Sequence, residues 1–259
     1  MAIDPKTLRK AQLIMLEMLL EFDAICQKYN LQYWLDSGSL LGAVRHQGFI
    51  PWDDDIDLAM PVEDYNKFQE IAQDELSENI FFQTQKTDKH FKLDYMKLRS
   101  NKATIIEFHE KEQEVNYHQG VFVDIFPMLT VPKTTFHQEF YDETFKLIRA
   151  VSPVTLHTPN GKDFPDVREK LVESLELMHE GWEKKDTKVI YSGKMPDIAA
   201  WFDFEEIFPL KKISFEGLEF YAPKNPQHYL SENYSFDYME LPPEEKRVIH
   251  ALKIELLSK

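Results

Sequence analysis

The 259-residue chain has a single cysteine, Cys26. One thiol cannot form an intramolecular disulfide or a zinc site built on several thiolates. Cys26 falls at the apolar spacing of a helix, so it is expected as buried filler rather than as a nucleophile. A thiol-poor chain fits the cytosol. Long apolar runs are missing too. The stretch 13–20 is interrupted by Glu17 and is far shorter than the ~20 apolar residues that span a bilayer. Residues 1–10 lack the pattern of a secretory signal. Positive charge is scarce, with 30 Lys and Arg against 45 Asp and Glu, a formal net charge of −15. No basic run offsets this, so no nucleic-acid partner is expected, and an anionic substrate would need cations gathered locally. Internal repeats and low-complexity tracts are also lacking. What is present, 43% hydrophobic and 29% charged residues, is the make-up of a globular protein with a sizeable core.

The hydrophobic spacing predicts an α/β (α+β) fold with a small mixed sheet and flanking helices. Leu8, Ala11, Met15, Met18, Leu19, Phe22 and Ile25 recur at three- and four-residue spacing, which marks a helix over 6–29 ending at Asn30. A short strand over 32–36, a turn at Ser37-Gly38-Ser39 and a short helix over 40–45 come next. A strand over 55–60 leads into a helix opened by Pro61 and running to 76. Strands follow near 80–85, 93–99 and 103–108, and a sharper one covers 121–126. The second half reads as mostly helical, with helices over 134–151, 164–184 and 243–257. Between them lie a hairpin over 213–221, turning at Glu216-Gly217, and a Pro-rich stretch, 221–226, ahead of a short helix. One domain over 1–259 is expected, with a core of 1–130 and a C-terminal part, 131–259, that completes the site.

The densest chemical signal is Trp52-Asp53-Asp54-Asp55-Ile56-Asp57-Leu58-Ala59-Met60. Alternation along a strand puts Asp55 and Asp57 on the face of Asp53, with Ile56, Leu58 and Met60 on the other. Carboxylates this close raise each other's pKa unless a cation joins them. A calcium loop is rejected, because Leu58 stands where the sharp turn needs Gly and Asp64 replaces the bidentate Glu. A helix cap could use Asp57 alone. A solvated acidic loop leaves the apolar alternation that follows unexplained. Metal binding is the better reading. In Val121-Phe122-Val123-Asp124-Ile125-Phe126 one acid is embedded in a β-branched, aromatic strand, where a lone buried charge is very costly. Asp124 therefore reads as a third metal ligand. Gly38-Ser39 ahead of a short helix suits a phosphate, which favours free N–H groups at a helix N-terminus.

The run from Leu40-Leu41-Gly42-Ala43-Val44-Arg45-His46 through Gln47-Gly48-Phe49-Ile50-Pro51 to Asp57 resembles the LicD family signature. Gly120 to Pro127 resembles that family's second block. Phe215-Glu216-Gly217, Tyr229-Leu230, Tyr238-Met239, Pro242-Pro243 and Lys246-Arg247 through His250 resemble its C-terminal block. LicD proteins are phosphocholine transferases of the polymerase-beta-type nucleotidyltransferase superfamily, related to fukutin-type ribitol-phosphate transferases. The resemblance implies a nucleotidyltransferase fold and transfer of phosphocholine, or a similar phospho-alcohol, from a CDP carrier (CDP-choline first) to a sugar hydroxyl, with CMP released. The acceptor it implies is a glycan or lipid-linked glycan precursor of teichoic acid, lipopolysaccharide or capsule. The cytoplasm is the expected compartment, with transient contact at the inner membrane face compatible with such an acceptor. Val62 and Ser235 depart from the family pattern, and one cysteine excludes a fukutin-type zinc site.

Ligation by carboxylates alone favours Mg2+ or Mn2+. A two-metal site, with ions ~3.5–4 Å apart, would clamp the attacking and leaving oxygens. On this reading Asp55, Asp57 and Asp124 hold metal, Asp124 takes the acceptor's proton, and Gly38 and Ser39 bind donor phosphate. Lys97 and Arg99, two apart on one strand face, together with Arg45, His46 and His250, supply positive charge, with Lys246, Arg247 and His250 placed on one helix. Trp52, Phe49 and Tyr95 are candidates to meet a quaternary ammonium, while Trp34 is expected in the core. The competing readings are NMP transfer to a small metabolite, which would release pyrophosphate, and a non-catalytic nucleotide-binding regulator. Alternation on both strands predicts that Asp55, Asp57 and Asp124 converge on one cavity. An Asp124 on the far side of the sheet from Asp57 would exclude it.

Overall fold

A computed structural model describes residues 3–110, 115–150, 183–191, 200–234 and 237–257, with Leu171 alone between them. Helix α1 (Pro5–Tyr29) begins where the Asp4 carboxylate accepts the Thr7 amide at 2.9 Å, and it stops at Asn30, whose φ of 55° is left-handed. Strand β1 is only Trp34–Leu35. Helix α2 (Ser37–His46) takes in Ser37, Gly38 and Ser39 as its first turn, so the expected turn is helical, with Asp36 as the N-cap. Strand β2 (Asp57–Pro61) and helix α3 (Val62–Glu75) follow, then β3 (Ile80–Gln83). The two strands expected near 93–99 and 103–108 form one, β4 (Met96–Glu107). Its polar centre, Ser100-Asn101-Lys102, is no break but an irregularity in pairing with β5 (Gly120–Pro132).

The C-terminal half departs most from expectation. Helix α4 (Thr135–Ala150) forms as expected. The helix expected over 164–184 lies almost wholly outside the described residues. Strands β6 (Thr187–Tyr191) and β7 (Trp201–Asp203) precede a one-turn helix, α5 (Phe204–Ile207). The hairpin β8 (Lys211–Phe215) and β9 (Leu218–Ala222) turns at Glu216 and Gly217, with φ of 55° and 75°. Helix α6 (Pro226–Asn233) follows the Pro-rich stretch. The helix expected over 243–257 is instead a single 3-10 turn at Glu244–Lys246 and a strand, β10 (Ala251–Leu256). Lys246, Arg247 and His250 therefore share no helix. Good helix-forming residues are overridden here because the open edge of β4 takes β10 as an antiparallel partner.

Eight strands make one mixed sheet, in which β1, β2, β5, β4 and β10 run side by side; β3 joins β4, and β6 and β7 extend from β5. The β2–β5 pair is parallel and the others are antiparallel. Alternation divides the central strands. Leu58, Met60, Val121, Val123, Ile125, Met96 and Leu98 point one way and are buried with the apolar stripe of α1: Met15, Met18, Leu19 and Phe22. Asp57, Asp124, Lys97 and Arg99 point the other way. Val62 is buried in a second cluster with Leu129, Val131, Tyr141, Phe145 and Ile190, so this departure from the family pattern is a core residue. Ser235 lies outside the described residues. Among the described residues, no helix is long and apolar enough to cross a membrane.

Helix α2 is pressed onto the loop that follows it. A methyl at Gly42 would lie 2.5 Å from the Gly48 carbonyl oxygen and 3.2 Å from the Ile50 amide nitrogen. Both obstacles are backbone. Gly42→Ala is therefore expected to cost about 1–3 kcal/mol in urea denaturation. A variant as stable as the parent would show that the loop yields freely.

Candidate active site

The site begins with strand register. Asp57 of β2 pairs with Asp124 of β5, and Asp124 pairs with Lys97 of β4. In-register neighbours point to the same side of a sheet, so the three form one row. The Asp124 amide donates to the Ile56 carbonyl at 2.7 Å, which fixes the row at its centre. Lys97 Nζ stands 2.8 Å from Asp124 Oδ1 and 2.9 Å from Oδ2. Only the Oδ2 contact has hydrogen-bond geometry, and the buried Oδ1 accepts no hydrogen bond. Asp53, Asp54 and Asp55 reach the same recess from the loop ahead of β2.

The electrostatics follow from crowding. Burial pushes the Asp57 carboxyl well up, and Asp55, Asp124, Asp36 and Asp53 push it further. Burial also raises Asp55, with Asp53, Asp54 and Asp124 adding to it and His250 opposing it. Asp53 is raised to about 7 by burial and by Asp54. Burial raises Asp124 against the pull of Lys97. At the rim, the hydrogen bond to Asp54 and the charge of Asp55 bring the His250 imidazole up to about 9.

A set of second contacts holds these acids in place. Asp54 is 1% exposed, and its carboxylate accepts the backbone amides of His250 (3.3 Å) and Ala251, tying the loop to β10. Gln12 of α1 donates to the carbonyls of Asp53 at 2.9 Å and Ile50 at 3.3 Å. Glu216, at the hairpin tip, accepts the Phe49 amide at 3.1 Å and pairs with Arg9 of α1. A methyl at Gly38 would lie 2.9 Å from Asp53 Oδ2, so bare backbone faces that acid. Ser39 Oγ accepts the Asp57 amide at 2.9 Å.

The sequence reading passed over Asp36, which is fully buried. Its carboxylate accepts the Ser37 amide at 2.8 Å and the hydroxyls of Tyr229 and Tyr191, each at 2.7 Å, while its own amide donates to the Asp57 carbonyl at 2.9 Å. The residue after it, Ser37, sits at φ 42°. An Asp directly before a helix is a capping signal, but nothing local pointed to the tyrosines. Tyr234 was also passed over. It is 47% exposed, and partial burial together with the charges of nearby Asp57, Asp36, Asp53 and Asp55 pushes its phenol up.

The expected cations have different surroundings. Lys97 is buried against Asp124 and over the Phe122 ring, 3.5 Å from its centre. Arg99, also buried, donates to Gln83 Oε1 at 2.8 Å and to the Gly120 carbonyl at 2.9 Å. Both of those contacts lie within the sheet. Arg45 donates to the carbonyls of Tyr238 (2.7 Å) and Glu240 (3.1 Å), and its Nε donates to His46 Nε2 at 3.0 Å. That nitrogen accepts, so His46 is neutral, and burial with the nearby Arg45 charge holds its pKa down. Trp34 is buried in the core. Segments 45–55 and 237–250 thus meet around the acids.

The donor set fits a hard divalent cation. All candidate ligands are oxygens, Asp124 Oδ1 has no hydrogen bond, and the main neighbours of Asp57 are other carboxylates. Asp54, Asp55 and His250 also place one ligand atom each within 4.8 Å of one another. Within this group the Asp54 oxygens also accept the backbone amides of His250 and Ala251. Asp55, Asp57 and Asp124, the set expected from the sequence, are not brought together as a trio within that distance.

A mixed sheet with acids paired across β2 and β5, and a short helix packed before them, defines a nucleotidyltransferase-type domain. Residues 30–152 match the family described as LicD/FKTN/FKRP, nucleotidyltransferase domain. Over 95% of its length the chain is 26% identical to the lipopolysaccharide cholinephosphotransferase LicD of Haemophilus influenzae, covering 97% of that protein. A shorter stretch, 18% of the chain, is 43% identical to 10% of the human ribitol 5-phosphate transferase FKRP. A further 24% of the chain is 45% identical to 20% of an uncharacterised Rickettsia typhi protein.

Two outcomes follow. Asp57→Asn removes one of several crowded charges, so in chelator its melting temperature should equal or exceed the parent's, while the Mg2+-induced rise disappears. A large loss of stability in chelator would mean that Asp57 is a structural ion-pair partner. Tyr191→Phe leaves the buried Asp36 one donor short and should cost about 1–3 kcal/mol in urea denaturation. No loss would show that Asp36 is neutral or hydrated.

Proposed function

We propose that the chain is a metal-dependent phospho-alcohol transferase acting on a glycan hydroxyl, with a CDP-linked alcohol as donor and CMP as product. The observation that carries the reading is the row of Asp57 beside Asp124, with Asp55 two residues upstream, in a LicD-family domain. The name of the Haemophilus relative puts choline first among the alcohols and a surface glycan first among the acceptors. The ribitol 5-phosphate transferase FKRP, similar over a shorter stretch, shows that the family also handles a polyol.

Asp55, Asp57 and Asp124 would hold Mg2+ or Mn2+. The cation, when bound, supplies charge neutralisation at the phosphates and acidifies the acceptor hydroxyl. The amides of Gly38 and Ser39, in the first turn of α2, have no carbonyl within the helix to bond, and they face donor phosphate. Asp36 fixes that turn and, through the Asp57 carbonyl, the strand beside it. The acceptor oxygen attacks the phosphorus distal to the nucleoside. A new P–O bond forms, the bond to CMP breaks, and CMP leaves with the bonding electrons. The hydroxyl proton passes to the Asp124 carboxylate. Lys97 orients that carboxylate and stabilises its charged form. Arg45 and His250 offset the negative field that this acidic protein sets against an anionic donor.

Incubation with CDP-choline, CDP-ethanolamine, CDP-glycerol or CDP-ribitol and a glycan acceptor should release CMP in Mg2+ and none in chelator. Asp57→Asn should lower that rate by orders of magnitude. Pyrophosphate from a nucleoside triphosphate, without CMP from any CDP-alcohol, would replace this reading with NMP transfer.

A further inference from the structure

Three aromatic side chains stand near the acids, and two of them are already covered. Phe49 is buried against Phe215, with ring centres 4.9 Å apart, and Tyr95 packs on Phe126 at 4.9 Å. Trp52, immediately before Asp53, is different. The edge of neutral His46 meets it at 6.3 Å and 82°, and its face is covered by a cation: the guanidinium carbon of Arg247 lies 4.4 Å from the ring centre. Arg247 is otherwise lightly held. Its Nε donates to the Pro242 carbonyl at 3.3 Å, and its Nη1 stands 3.6 Å from Glu244, whose side chain is 87% exposed. Lys97 and Arg99, over Phe122, are buried, and Arg9, over Phe49, is held by its ion pair with Glu216. Arg247 can leave the Trp52 face without stranding a buried charge, since its acidic neighbour Glu244 is exposed.

We infer that the face of Trp52 is the subsite for a cationic ammonium head group on the donor alcohol, and that Arg247 is its tethered place-holder, displaced when such a head group arrives. The inference rests on the phospho-alcohol transferase reading and names the residues that choose the alcohol. Trp offers a cation the strongest aromatic face. Asp53, next in the chain, adds negative charge on the same side as the acid cluster. A quaternary ammonium forms no hydrogen bonds and loses little on leaving water, so it competes with a guanidinium for that face. A polyol carries no charge, leaves Arg247 in place and gains nothing from Trp52. Arg247 thus sets how strongly the site separates ammonium alcohols from polyols.

The test is calorimetry on the full chain in Mg2+ with CDP-choline and CDP-ribitol, comparing the parent with Arg247→Gln and Trp52→Leu. Removing the competitor should tighten CDP-choline about three- to tenfold and leave CDP-ribitol within about twofold. Trp52→Leu should weaken CDP-choline by a similar factor with CDP-ribitol unchanged. Trp52→Phe, which keeps a weaker face, should fall between, and it serves where Trp52→Leu unfolds. Arg247→Gln weakening both compounds alike would assign Arg247 to the shared phosphates and overturn the inference. So would an unchanged choline-to-ribitol ratio in the Trp52 variants. In both cases the transferase reading survives, because the parent still binds the CDP compounds. Binding of neither compound to the parent would overturn both.

Discussion

The parallel register of β2 and β5 places Asp57 directly beside Asp124, on strands ~4.8 Å apart, with Asp55 two residues away. Like charges at that spacing oppose folding unless something answers them, and much of the surrounding structure is that answer. Lys97 stands in the next position of the same row. His250 comes in from β10, and Asp54 accepts the amides that fix β10 at that point. Gln12 and Arg9, on α1 behind the sheet, hold the acidic loop through its carbonyls and through Glu216. The scaffold holds the acids close and leaves their charge only partly matched. A divalent cation bound there would neutralise that residual imbalance.

Positive charge is divided by role. Lys97 and Arg99 are buried and belong to the sheet. Arg45 and Arg247 sit where segments 45–55 and 237–250 meet, with neutral His46 bonded to Arg45, and each holds one segment to the other or to a neighbour. The chain's overall acidity is no obstacle to an anionic donor, because the cations that matter are gathered at this one seam. A buried Lys–Asp pair is a weak source of stability. Its value here is direction: it holds the Asp124 carboxylate in the row that Asp57 begins.

The legible parts of the sequence were those fixed by local pattern. The stripe of α1, the strand that begins at Asp57, the acid inside Val121–Phe126 and the Glu216-Gly217 turn each carry their signal within a few residues, whereas Asp55, expected on that strand, lies in the loop before it. The parts that misled depend on distant partners. Residues 251–256 are good helix formers, and only the edge of β4 makes them a strand. Arg99 sits on the same face as Lys97, as alternation predicts, but its partners Gln83 and Gly120 could not be read from spacing. Asp36 looked like the end of an ordinary short strand, because the hydroxyls that define it are 155 and 193 residues away.

Those separations bear on how the molecule comes together. Trp34 meets Tyr229 across 195 positions, Arg45 meets Tyr238 across 193, and Arg9 meets Glu216 across 207. Contacts of such range form slowly, since the closure of large loops must precede any gain from them. The early strands can pair before the hairpin, α6 and β10 arrive, but the acidic loop has no firm seat until they do. The last contacts made are the ones that shape the recess. Capacity to bind a ligand there is therefore a late event in maturation, and it reports that the whole chain has reached its native arrangement.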